Sequence, residues 1–144
     1  MVSSRPDPSP AQGSSRSAIV LFVEDEILIR AAVAEYLRKL GYIVVEAADA
    51  TEAMAVFSSG EPIDVVLCDV DLPGTMDGLA LARWINRRRS APPVLLTSGR
   101  IARPTRKTPV GFVMAKPYRL AELAACLESM LASGDPAADD TESR

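Results

Sequence analysis

The sequence contains no histidine among its 144 residues. A Ser-His-Asp triad, a histidine-ligated metal and a self-supplied phosphohistidine are thereby excluded. Only two cysteines are present, Cys68 in an apolar run and Cys126 in a helical pattern. Isolated in this way they form neither a disulfide framework nor a zinc site, and both read as small buried hydrophobes. Long apolar runs are missing as well. The longest, Ala18 to Val23, is too short to cross a bilayer. The first residues carry no apolar h-region, so no signal peptide is expected, and a cytoplasmic location is. Positive charge is not in excess: 16 basic and 19 acidic residues leave a net charge of −3. That balance argues against a globally basic nucleic-acid binder. Half of the positive charge nonetheless falls between Arg83 and Lys107, either as a solvated face or as a surface that meets a partner.

Apolar residues make up 48% of the chain, enough to exclude disorder for its middle, and the length suits one domain with a real core. Residues 1–16, rich in Ser, Pro and Arg, are expected to be a disordered tail, and the acidic stretch 133–144 another. Between them, over 17–132, short apolar runs alternate with helical patterns, the signature of βαβ units. Strands are expected at Ala18–Val23, Ile43–Ala47, Ile63–Cys68, Pro93–Thr97 and Gly111–Ala115. The first helix carries Ile29, Val33, Tyr36, Leu37 and Leu40 at helical spacing and stops at Gly41. Asp49 caps a helix over Ala50–Ser58, with Glu52 completing a capping box. Further helices are expected over Gly78–Arg88 and Arg119–Leu131. The fold class is therefore α/β: a doubly wound, five-stranded parallel sheet of flavodoxin-like order 2-1-3-4-5. Its fourth helix is the exception. Gly99 to Pro109 holds two prolines, each costing about 3 kcal/mol in a helix interior, so a loop or a single helical turn is expected there.

Polar residues stand where four of these strands end: Glu24-Asp25, Asp69, Thr97-Ser98 and Lys116-Pro117. The carboxyl ends of parallel strands share one edge, where such sheets bind ligands. Singly, each signal has an ordinary explanation. Glu24-Asp25 would cap a helix, Asp69 would punctuate a turn, and Lys116 would be solvated. Together they differ, because the order 2-1-3 brings Glu24, Asp25 and Asp69 side by side. Clustered carboxylates raise one another's pKa unless a cation joins them, and Mg²⁺ suits carboxylates, waters and phosphate oxygens. A carboxylate at such a site can also act as a nucleophile toward phosphorus. Asp69, last on the central strand, is the candidate. Lys116 and a hydroxyl would hold the transferred oxygens.

These residues resemble the response-regulator receiver domain of two-component signalling. The markers are Val23-Glu24-Asp25-Glu26, Cys68-Asp69-Val70-Asp71-Leu72-Pro73-Gly74, Met76-Asp77-Gly78, Ser98-Gly99 and Lys116-Pro117. The resemblance implies that Asp69 is the phosphoacceptor and that Mg²⁺ is held by Glu24, Asp25, Asp69 and the backbone carbonyl of Asp71. It also implies a phosphate-binding Lys116 and a cis peptide at Lys116-Pro117. Thr97 and Ser98 both qualify as the switch hydroxyl; Ser98 is preferred because Gly99 leaves the most room beside it. Two departures affect signal output. Val113 stands where the family usually has an aromatic, with Phe112 one step earlier, and the fourth helix is cut short. Thr75 also lengthens one loop.

A stand-alone receiver is expected, since no second domain is read in the sequence; the resemblance implies that it works without enzymatic turnover and is phosphorylated by a sensor histidine kinase or a histidine phosphotransfer protein. It would signal to a downstream protein target or pass the group along a phosphorelay, as a monomer or weak dimer without direct DNA or membrane binding. Two alternatives stand beside it. One is a degenerate receiver that binds a partner without phosphorylation. The other is an aspartate-nucleophile phosphatase, suggested by Asp69-Val70-Asp71 but lacking the acidic pair that should follow it.

Overall fold

The computed structural model describes residues 16–100 and 105–133. Both expected tails lie almost wholly outside the described residues. Five runs form the parallel part of one sheet: β1 (Ile19–Val23), β2 (Ile43–Ala47), β3 (Val65–Asp69), β4 (Val94–Ser98) and β6 (Gly111–Ala115). With β5 (Arg106–Thr108), the strand order is β2-β1-β3-β4-β6-β5. Four helices connect them: α1 (Ile27–Lys39), α2 (Ala50–Ser58), α3 (Gly78–Asn86) and α4 (Leu120–Ser133). Among the described residues no helix is long and apolar enough to cross a membrane.

The pleat divides the interior into two layers. Val20, Phe22, Leu67, Leu95 and Phe112 face Val33 and Leu37 of α1 and Leu123 and Leu127 of α4. Leu21, Val23, Val66, Cys68 and Leu96 face Ala53 of α2 and Leu81 and Ile85 of α3. β1, β3 and β4 are buried along their whole length, as strands covered on both faces must be. The caps follow local chemistry. Asp49 accepts from the Glu52 N–H at 2.9 Å, and the Glu52 carboxylate reaches back to the Ala48 N–H at 2.7 Å. That is the expected capping box shifted by one residue. Gly41, at φ 105, turns the chain out of α1.

The five expected parallel strands are present in the expected order, and a sixth, β5, is added antiparallel to β6. Of the stretch 99–109 expected to be a loop or single helical turn, Arg106–Thr108 is instead a strand, and residues 101–104 lie outside the described residues. Among the described residues, nothing between β4 and β6 is helical. The cause is local. Pro104 and Pro109 deny a helix its N–H donors, while Thr108 Oγ donates to the Gly111 carbonyl at 2.7 Å and closes a hairpin. Gly111 is required there: its φ is 148, and a Cβ would lie 2.6 Å from the Val94 carbonyl oxygen.

Both cysteines are free and buried. Burial pushes each thiol pKa up, for Cys126 against the opposing hydrogen bond from Thr105. Since the thiolate is the reactive form, neither is expected to react with a disulfide reagent at neutral pH in the native protein. Both should react once denaturant is added, with absorbance as the readout. The described part of the basic run is largely at the surface. Arg83, Arg87 and Arg89 are exposed, and Arg88 lies over the rings of Trp84 and Phe57 at 4.9 and 5.2 Å.

Candidate functional site

The carboxyl edge of the sheet gathers Glu24, Asp25, Asp69, Thr97, Ser98 and Lys116. Carboxylate oxygens of Glu24, Asp25 and Asp69 lie within 4.8 Å of one another. Glu24 and Asp69 are buried, whereas Asp25 is exposed. The arrangement follows from parallel pairing: β1 and β3 are neighbours with Val23 opposite Cys68, so the residues after them stand together. Helix capping does not explain the acidic pair. The N-cap of α1 is Glu26, which makes no side-chain cap bond. The Glu24 carboxylate instead accepts from the Glu26 N–H, at 3.1 Å.

Lys116 enters from the end of β6, and its Nζ donates to Asp69 Oδ2 at 3.0 Å. The other oxygen, Oδ1, accepts from the Asp71 N–H at 3.1 Å. The peptide bond Lys116-Pro117 is cis, as the family resemblance implies. The charges act on one another across this cluster. Burial lifts the Glu24 pKa above the ordinary carboxylate range, and the charges of Asp69 and Asp25 add to it. The Glu26 hydrogen bond and Lys116 work the other way. For Lys116, burial favours the neutral amine, but the hydrogen bond and charge of Asp69 outweigh it and the pKa rises. Lys116 therefore stays an ammonium.

The two hydroxyls of β4 are separated by the pleat. Thr97 pairs directly opposite Asp69 and follows Leu95, which faces α1 and α4. Ser98 follows Leu96, which faces α3 together with Val113. Both are buried, and neither hydrogen-bonds Asp69. Ser98 Oγ accepts from the Arg100 N–H at 3.1 Å, while the Arg100 side chain pairs with the Asp71 carboxylate. A Cβ placed on Gly99 would meet nothing within 4 Å, so the space beside Ser98 is open. Phe112 does not stand in for the missing aromatic. It packs among the residues facing α1 and α4, on the opposite side of the sheet from Val113.

The family model of the response regulator receiver domain matches residues 20–128. The chain belongs to the response-regulator receiver family. Among curated relatives, the receiver is 37% identical over 113 residues to the transcriptional regulatory protein PdtaR of Mycobacterium tuberculosis, covering 76% of this chain and 54% of that one. It is 35% identical over 127 residues to the sensor kinase CckA of Brucella abortus, covering 84% of this chain and 13% of that one. It thus spans about half, or less, of the length of these relatives. A solved receiver domain from the hybrid histidine kinase CckA superposes with a TM-score of 0.68 at 32% identity, covering 79% of this chain and 99% of that domain. A response regulator receiver protein from Sinorhizobium medicae, at 22% identity and a TM-score of 0.72, shares the fold.

One residue that touches the site carried no signal on its own. Arg30 donates to the backbone carbonyl of Glu24 at 2.8 Å. An available clue was its place in α1, one turn before the buried Val33, Ala34 and Leu37 and on their side of the helix.

Proposed function

We propose that this receiver accepts a phosphoryl group on Asp69 in the presence of Mg²⁺ and signals through the resulting change. The observation that carries it is the buried Asp69 carboxylate held at 3.0 Å by Lys116 and within 4.8 Å of two further carboxylates. The donor set fits Mg²⁺, a hard cation that takes oxygen ligands: three carboxylates converge there, and one ammonium leaves them with net negative charge. Glu24, Asp25 and Asp69, with the Asp71 carbonyl, would hold the ion, which when bound neutralises charge on the incoming phosphoryl oxygens. The partner would be a sensor histidine kinase or a histidine phosphotransfer protein. In the transfer, the P–N bond of its phosphohistidine breaks and a P–O bond to Asp69 forms. Lys116 and a hydroxyl of β4, that of Thr97 opposite Asp69 or of Ser98 at the strand end, would hold the oxygens of the acyl phosphate.

The mouth of the site suits a docking helix. Ile27 and Leu28 are 66% and 81% exposed, and an apolar groove beside them is lined by Ile29, Val33, Pro117, Tyr118 and the Lys116 stem. The protein acts as a switch on a downstream partner or as a relay, without turnover of a small substrate. Driving a two-state switch from 1:99 to 99:1 takes about 5.5 kcal/mol, a demand that charge-assisted bonds from Lys116 and the β4 hydroxyl to a dianion help to meet.

Acetyl phosphate with Mg²⁺ should add one phosphoryl mass to the intact protein, and EDTA should prevent it. Mass spectrometry showing no adduct would leave the degenerate, phosphorylation-independent receiver as the better reading. Mg²⁺ affinity should also fall with pH. Protons compete with metal for carboxylates, and the raised Glu24 pKa moves that competition to higher pH than an ordinary glutamate would. Calorimetric titrations across the acid range should show the loss beginning above the normal glutamate range. An affinity flat down to that range would contradict it.

A further inference from the structure

We infer that Arg30 is a positioning residue for the cation site, fixing the strand-to-helix turn that carries Glu24 and Asp25; this rests on the Mg²⁺ reading above. The side chain is 17% exposed, low for an arginine. Its NH1 donates to the Glu24 carbonyl at 2.8 Å, and its Nε donates to Glu46 Oε1 on β2 at 3.1 Å. The second Glu46 oxygen takes Arg38 at 3.0 Å, and Arg38 in turn donates to the Val44 carbonyl at 2.7 Å. A chain of charged groups therefore runs from β2 across α1 to the backbone of the first ligand. The Glu24 N–H is pinned as well, to the Ala47 carbonyl at 3.0 Å. Both sides of the Glu24 backbone are thus held, and its carboxylate is oriented from that fixed base by the Glu26 N–H at 3.1 Å.

Two effects of Arg30 on a bound cation have opposite signs. As a charge, a guanidinium beside a cation site repels the ion, and deleting it should tighten binding. As a brace, it orients ligands in advance, and deleting it should loosen binding. Glu46 decides between them, because it offsets the Arg30 charge at salt-bridge distance while leaving its grip on the Glu24 carbonyl intact. Bracing therefore dominates. Loss of groups that orient metal ligands typically costs 10–100-fold in affinity.

The test is calorimetric Mg²⁺ titration of the full chain and three variants. Arg30→Ala should weaken binding about 10-fold or more. Arg30→Lys should also weaken it, since one ammonium cannot span both acceptors, although the charge is kept. Glu46→Gln should weaken it less, because the bond to Glu24 survives. Should Arg30→Ala fail to fold, Arg30→Lys decides the matter. Binding that is unchanged or tighter in Arg30→Ala, or in Arg30→Lys where only that variant folds, would overturn the bracing role while leaving the Mg²⁺ site standing. Absence of any Mg²⁺ binding by the wild type would overturn the receiver chemistry and this inference together.

Discussion

Asp69→Asn should abolish Mg²⁺-dependent incorporation of phosphoryl groups from acetyl phosphate, reducing the adduct to background. An amide cannot be esterified as an acyl phosphate, and no other carboxylate in the crevice is placed like it. Glu24 is buried but tied to the Glu26 N–H, and Asp25 is exposed. The substitution is nearly isosteric, so Asp71 N–H keeps an oxygen partner and the fold should survive, as circular dichroism can check. Lys116 loses the partner that chiefly raises its pKa. Glu24 keeps the burial that dominates its own shift but loses the Asp69 charge that adds to it. Its titration, followed by carboxyl NMR, should therefore move to lower pH. An adduct that persists in Asp69→Asn would remove Asp69 from the central role.

Gly78→Ala should destabilise the fold by about 3 kcal/mol, lowering Tm by on the order of 10 °C. Gly78 opens α3, and its N–H donates to the Val70 carbonyl at 2.8 Å. A Cβ there would overlap the Asp69 carbonyl oxygen and stand 2.7 Å from Val70 Cα. All of these atoms are backbone, so no side chain can swing away. α3 must move off the strand end that carries the phosphoacceptor. Gly99→Ala is the matched control, since its Cβ would meet nothing within 4 Å, and a change of about 0.5 kcal/mol or less is expected. Thermal unfolding of the two variants separates steric contact from glycine content. Equal Tm values would contradict the overlap.

Much of this was legible before any coordinates, for reasons that differ by element. Val20 to Val23 and Val65 to Cys68 are continuous apolar runs, and only a strand buried on both faces calls for that composition in so few residues. The parallel order then placed Glu24, Asp25, Asp69 and Lys116 together, because sheet topology determines which strand tips are neighbours. The segment before β6 was legible only in what it excludes. Its prolines forbid a helix, but Arg106-Lys107-Thr108 is too short and polar to announce a strand. Pairing with β6, which the sequence does not display, made it one. The switch hydroxyl was ambiguous for a related reason: Thr97 and Ser98 are adjacent, and the pleat that assigns them to opposite faces is a property of the whole sheet. Arg30 escaped because its partner at the site is a main-chain carbonyl, and no residue type advertises such a contact.

The cationic strand at the outer margin of the sheet has a consequence for self-association. A second molecule aligning there edge to edge would bring Arg106 and Lys107, both exposed, against their own likes. Like charges are a common defence against runaway strand addition.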